Sequence, residues 1–316
     1  MENERSNRRR FVRKLVSLAA LSGITGLLLG ERLEKVTAIS NAVTTSTSNI
    51  PGQLAFWDGQ YDITGSDHLR WDDTARNFVA GYSGNIVWPD PVGVTISGGG
   101  ASGFENKVTD NYGTVGGGWN NQAGNYDGSA SNAAYATVGG GNSNAASGGS
   151  ATIGGGESNS ASDNFATVSG GVGNSASKNS ATVGGGYGNT ASWLDATVGG
   201  GYVNTASGDS STVGGGQYNA ASNVFSTVGG GTGNAASNIE ATVGGGVANT
   251  ASNIYATVGG GISNTSSGDS ATVPGGSGNI AAGDYSFAAG RRAKIDALHD
   301  GSFLFSDSSN FDFNSS

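Results

Sequence analysis

The chain has 316 residues, including 58 Gly, 4 Pro, 1 Met and no Cys, with a formal net charge of −9. Gly is 58/316, about 18 %, against roughly 7 % in ordinary proteins, and charged residues are only 12 %. This excludes a disulfide scaffold and a Cys-based zinc site, charge-driven disorder and, because Gly falls in GGG clumps, collagen.

Residues 1–40 carry 8 of the 15 Lys and Arg and 4 of the 24 Asp and Glu, which leaves 7 − 20 = −13 for the remainder. A body this acidic repels a phosphate backbone, so no nucleic-acid partner is expected. His68 and His299 are too few and too far apart for a metal or catalytic cluster. No G-x-S-x-G, H-E-x-x-H or Walker pattern occurs. Asp209, Asp269 and Asp284 share a repeat column with Asn179, Leu194, Val224, Ile239 and Ile254, so a regular calcium ladder is not expected. The expectation is a non-enzymatic protein with no cofactor and no metal.

In chain order, residues 1–38 come first. A basic start, SNRRRFVRK, precedes an apolar run from Leu15 to Gly30 and small residues at Val36 and Ala38. Arg8, Arg9, Phe11 and Lys14 resemble the twin-arginine export motif. The resemblance implies an exported protein at the cell surface or outside the cell. Two fates stay open, cleavage after Ala38 or retention as an anchor, and membrane contact is expected only through this segment. Residues 39–50 read as a linker. Residues 51–95 hold three of the five Trp and three of the four Pro. They are expected to form a small β cap that blocks the open edge of the first coil.

Most of the remaining chain is a repeat. Val138, Ile153, Val168, Val183, Val198, Val213, Val228, Val243, Val258, Val273 and Ala288 stand fifteen residues apart. Six residues after each of the first ten comes Asn: Asn144, Asn159, Asn174, Asn189, Asn204, Asn219, Asn234, Asn249, Asn264 and Asn279. The unit A-T-V-G-G-G-x-x-N-x-A-S-x-x-x has no helical stripe. Its period-two pattern gives two short strands joined by two turns. Stacking such units predicts an all-β, parallel β-solenoid with 15-residue coils over 136–290. Ile96 and Val115 head two irregular coils within 96–135, with spacings 115 − 96 = 19 and 138 − 115 = 23. The Val column is the expected core ladder, and the Asn column an amide ladder along the stack.

A buried Val is worth about 2 kcal/mol, and ordering fifteen residues costs roughly 15 kcal/mol or more. A single thin stack is therefore marginal, and further apolar burial between chains is expected. Two variable loops offer the surface. One carries Trp119, Val172, Tyr187, Tyr202, Val203, Tyr218, Val247 and Ile262. The other carries Phe165, Trp193, Leu194, Val224, Phe225, Ile239, Ile254 and Tyr255. Phe165, Trp193, Phe225, Ile239, Ile254 and Tyr255 form the candidate interface stripe; a ligand-binding stripe of aromatics is the rival reading.

Val138, Gly139 and Ala146 with their counterparts resemble the head repeats of trimeric autotransporter adhesins over about 96–290. That resemblance implies a left-handed β-roll, a homotrimer and attachment to an unknown surface receptor or matrix. GGG stands where that family usually has one Gly. The segments Gly52–Gly59 and Gly283–Lys294 resemble the flanks of such repeats in phage tail-fibre-like surface proteins. Residues 291–316, with Arg291, Arg292 and Lys294, are then expected to be a neck or C-terminal cap. The rival functions are a receptor-binding module of a phage-tail-like fibre and an ice- or crystal-binding solenoid that uses the Thr137, Thr152, Thr167 column.

Overall fold

The computed structural model describes residues 53–57, 63–308 and 312–315. The export-signal residues Arg8, Arg9, Phe11 and Lys14 lie outside the described residues, as do the apolar run and the linker. The chain divides into two compact units, residues 1–66 and 67–316. Of the first, the strand Gln53–Trp57 and the opening residues of the strand Ile63–Asp72 are described. The second is a parallel β-solenoid.

Each regular coil repeats one local logic. In Ala136-Thr137-Val138, the extended strand sends Ala136 and Val138 inward and Thr137 outward, as alternation requires. The Gly triplet turns a corner. Asn144 and Ala146 then point inward from the second strand, Ala145–Ala146. A tight turn leads back to the next Thr-Val strand.

Like residues stack on like. Thr182 pairs with Thr197 and Val183 with Val198, in parallel and fifteen residues apart. The same register runs from Thr137–Val138 to Thr272–Val273. Every Val of the predicted core ladder, with Ile153, is fully buried. The second strands form a 15-stranded sheet from Ile86–Val87 to Phe313–Asn314. Between the two sheets runs a third line of single-residue parallel pairs, from Trp119 through Asn142, Tyr187 and Ile262 to Arg291. The sequence pattern did not reveal this third line, because its side chains vary freely.

The stack also reaches further than the repeat. Val79 pairs with Ile96, so coils begin at the strand Asn77–Ala80, inside the segment assigned to the N-terminal cap. Residues 69–72, at the end of the strand Ile63–Asp72, pair antiparallel with that first coil, from Leu69–Ala80 to Asp72–Asn77. At the other end, Phe287–Gly290 pairs with Phe303–Ser306 and Ala293 with Phe313, so the tail continues the coils beyond 290.

Both corners use left-handed backbone at non-Gly residues. Phe165, Ser180, Asp195, Ser210 and Phe225 sit at φ 53–58° in one corner, and Ser143, Ser158, Val203 and Tyr218 at φ 53–57° in the other. Such φ values are uncommon, and for β-branched Val203 strained. They are held because each residue's N–H reaches a carbonyl of the previous coil: Phe165 to Gly149 at 2.9 Å, Val203 to Tyr187 at 2.8 Å.

The three glycines of a triplet have different jobs. A Cβ on the third, Gly231 at φ +89°, would lie 2.1 Å from the Gly246 carbonyl oxygen and 2.6 Å from Asn234 Nδ2. A Cβ on the second, Gly230, would meet nothing nearer than 4.0 Å. Gly231→Ala is therefore expected to lower stability by at least about 1–3 kcal/mol, while Gly230→Ala stays near neutral; urea unfolding of the two variants checks the difference.

Candidate functional surfaces

The buried polar column is the most regular chemical feature of the fold. Asn204 Nδ2 donates to the Gly200 carbonyl of its own coil at 2.9 Å and to Gly216 of the next at 2.8 Å. Its Oδ1 accepts the Asn219 N–H at 3.0 Å, and its own N–H donates to Asn189 Oδ1 at 2.9 Å. Both amide hydrogens and the amide oxygen are thus used. The site requires two donors and one acceptor on a short stem; Asp lacks the donors and Ser the second donor. The same pattern links all ten predicted Asn residues, and Asn279 Oδ1 passes it on to the Ala293 N–H at 2.9 Å.

Three further members escaped the sequence reading. Asn106 N–H donates to Asn85 Oδ1, Asn121 N–H to Asn106 Oδ1, and Asn144 N–H to Asn121 Oδ1, each at 3.0 Å. A signal for two of them was present: Asn85 follows Val79, and Asn121 follows Val115, by the same six residues. Asn106 was hidden because the extra residues of its coil fall between Gly100 and the Asn.

The outer faces of the sheets carry small side chains. One shows a row of Thr, from Thr114 to Thr272, beside a row that is mostly Gly. The other shows Ala, Ser and Thr, such as Ala145, Ser160 and Thr190. Larger side chains are confined to the corners.

Of the candidate interface stripe, Phe165, Trp193, Phe225, Ile239 and Tyr255 are exposed and Ile254 is half-buried. They occupy one corner but do not form one row. Ser180, Asp195 and Ser210 separate Phe165 from Phe225, and Glu240 separates Phe225 from Tyr255. Continuous apolar neighbours in that corner are Val224, Ile239 and Ile254, on successive coils. The opposite corner has a longer run. Val172, Tyr187 and Tyr202 pair coil to coil. Tyr187 stacks on Tyr202 at 5.2 Å, and Tyr202 meets Tyr218 edge-on at 5.4 Å. The Tyr218 hydroxyl raises the pKa of Tyr202, through a hydrogen bond first and charge repulsion second.

The predicted neck cations are engaged within the chain. Arg292 Nε lies 2.6 Å and Lys294 Nζ 2.7 Å from the Asp312 carboxylate. The hydrogen bond from Lys294, then that from Arg292, holds the Asp312 carboxyl below its ordinary range. The Asp column also serves the backbone. Asp284 Oδ1 accepts the Asp269 N–H at 2.8 Å and Asp300 Oδ1 the Asp284 N–H at 3.0 Å, as Asn164 Oδ1 does for Gly149 at 2.9 Å. Of the two His, His68 Nδ1 lies 3.1 Å from the Gly81 carbonyl and His299 Nδ1 2.5 Å from Ser315 Oγ. Among the described residues, no three His, Asp or Glu side chains cluster to hold a metal ion, and no helix is long and apolar enough to cross a membrane.

The irregular coils carry their own arrangement. Asp110, fully buried, accepts the N–H groups of Asn125 at 3.0 Å and Ala133 at 3.1 Å, the two ends of the loop that lengthens its neighbouring coil. Near the start of that loop, Tyr126 meets Trp88 at 5.1 Å.

No protein-family model matches the chain, and no curated protein matches it.

Asn204→Ala removes every hydrogen bond of the side chain at once, that from Nδ2 to Asn189 Oδ1 at 3.1 Å included, and strands the Asn219 N–H in the interior. Each orphaned buried group costs about 1–3 kcal/mol. Asn204→Ala is expected to be clearly more destabilising than Thr205→Ala on the outer face, and thermal unfolding of both variants, each compared with the parent, reads the difference.

Proposed function

We propose that this chain is an exported, non-enzymatic β-roll, displayed at the cell surface or outside the cell, where it acts in attachment in the manner of an adhesin or appendage module. The observation that carries the reading is the division of labour within each coil. The Asn column is constant from Asn144 to Asn279, the Val column changes only to Ile153 from Val138 to Val273, and the Ala columns change only to Ser211, Ser226, Ser266 and Ser286. All are buried, while exposed aromatic and aliphatic side chains vary from coil to coil at the two corners. A scaffold of this kind spaces and presents surface chemistry.

The functional form we propose is a homotrimer. Each regular coil sends inward little more than one Val, two Ala and one Asn, a thin core for fifteen ordered residues. The outer faces of small side chains permit close approach by a second and third copy. The corners with exposed Ile239 between half-buried Val224 and Ile254, and with exposed Val172, Tyr187 and Tyr202, supply apolar area to bury between copies.

A receptor-binding module of a phage-tail-like fibre shares this architecture and differs in its route. The basic and apolar start of the sequence favours export. An ice- or crystal-binding role would have to use the Thr face, which offers only one Thr per coil.

Light scattering of the protein and surface labelling of intact producing cells test the reading together. A mass three times that of one chain, with label reaching the protein from outside, supports it. A monomer, or protein confined to the cytoplasm, contradicts it.

A further inference from the structure

The coils between Val79 and Val138 break the fifteen-residue rule, and the extra residues are not placed at random. Val79 to Ile96 spans 96 − 79 = 17 residues and Val115 to Val138 spans 138 − 115 = 23. The second strands Ile86–Val87, Lys107–Val108 and Gln122–Ala123 stay in register, as do the first strands at Thr95, Thr114 and Thr137. Both excesses therefore fall in the same corner, after Val87 and after Ala123. The coil between them takes that corner with its ordinary length. Two enlarged loops thus flank a short one, and they meet over it: the Trp88 indole and the Tyr126 ring lie 5.1 Å apart and tilted by 45°.

This meeting point is built rather than loose. Beneath it, buried Asp110 pins both ends of the longer loop through the Asn125 and Ala133 N–H groups. Thr109 Oγ accepts the Tyr126 N–H at 3.1 Å and fixes the backbone that carries the ring. Inside the loop, the Asp127 carboxylate gathers the Ser129 N–H at 2.9 Å, the Asn132 amide at 2.6 Å and the Asn125 amide at 3.1 Å. The indole runs beside Gly128, where an added Cβ would touch Cη2 at 3.8 Å. Trp88 and Tyr126 nevertheless remain 44 % and 51 % exposed. Stability alone gives no reason to order a loop of this length and leave two large rings in water. The four extra residues of the coil between, 115 − 96 = 19, fall at the opposite corner, between Gly100 and Asn106. At the Trp88 corner two enlarged loops meet, and enlarged loops of a solenoid are where ligands are met.

We propose that the Trp88–Tyr126 corner is a binding site for a neutral glycan. The apolar C–H face of a pyranose ring, with its slightly positive hydrogens, matches the negative face of an aromatic ring. Asp127, an ionised acceptor whose carboxyl is held below its ordinary range chiefly by the Ser129 N–H and next by Asn132, stands within the same loop to take sugar hydroxyls. The surrounding body carries −13 in formal charge from residue 41 onward and repels sulfated or sialylated chains, which leaves neutral sugars. The site names the ligand class for the attachment role proposed above and rests on that reading only in taking a surface-borne ligand as occupant.

The test uses the full chain and neutral oligosaccharides of glucose, galactose, mannose and N-acetylglucosamine, screened on an array and measured by calorimetry. Saturable binding to at least one is expected. Trp88→Ala and Tyr126→Ala should each weaken it about tenfold or more, Trp88→Phe should retain part of it, and Trp119→Ala, at the opposite corner, should leave it unchanged. Thermal unfolding of each variant separates loss of the site from loss of the fold. Binding to none of these sugars overturns the proposal. So does binding indifferent to Trp88→Phe, Trp88→Ala and Tyr126→Ala alike, or preference for tetramethylammonium or a Lys-rich peptide, which would make the corner a cation cage. Attachment to cells without sugar binding overturns the site and leaves the attachment reading standing; sugar binding by a cytoplasmic monomer does the reverse.

Discussion

The fold depends on one buried side-chain amide repeated coil after coil from Asn85 to Asn279. Asparagine at this position closes the corner made by its own Gly triplet, grips the carbonyl of the next triplet, and hands its oxygen to the backbone of the next Asn. A polar group in so thin an interior is costly unless fully satisfied. Here satisfaction is available only when neighbouring coils stand in register. The amide therefore converts the cost of burial into a penalty on slippage. The Val and Ala columns add apolar burial but would tolerate small misalignments that the amide does not.

That constraint explains where variation is allowed. The third Gly of each triplet is fixed, because a Cβ there would strike the adjoining coil, and inward positions from Val138 to Ala281 vary only between side chains of similar size, such as Val and Ile or Ala and Ser. Corner residues point outward and carry whatever chemistry the surface needs, from Trp119 to Glu157 to Ile262. Left-handed corners occupied by Phe, Tyr, Val and Ser show the same balance: the strain is local, and the hydrogen bond to the previous coil keeps it in place. Extra residues can likewise be accommodated only between the register points, which is why the enlarged loops after Val87 and Ala123 leave the flanking strands undisturbed.

The repeat, its length and its two inward columns were legible in the sequence, because burial writes a period into the chain. The Asn column's neighbours were legible too, but not its reach. Asn85 and Asn121 keep the six-residue distance from Val79 and Val115, whereas the coil holding Asn106 shifts that spacing. The single-residue pairs from Trp119 to Arg291 left no trace, since backbone pairing makes no demand on side-chain type. The candidate stripe was overdrawn for a related reason: residues such as Phe165 and Phe225 share a column, yet polar residues occupy the coils between them, Asp195 among them. Contact between Trp88 and Tyr126 was invisible, because two insertions of different length meet in space and no period links them.

The most direct measurement compares two deletions in the middle of the stack. Removing residues 198–212 joins Thr197 to Val213 and keeps every column in line; removing Thr212 alone takes one residue from within a strand and turns Val213 from the inward to the outward face. Cooperative thermal unfolding, only modestly lowered, is expected for the fifteen-residue deletion, with broad or lost unfolding for the single-residue one. Equal tolerance of the two would contradict the account.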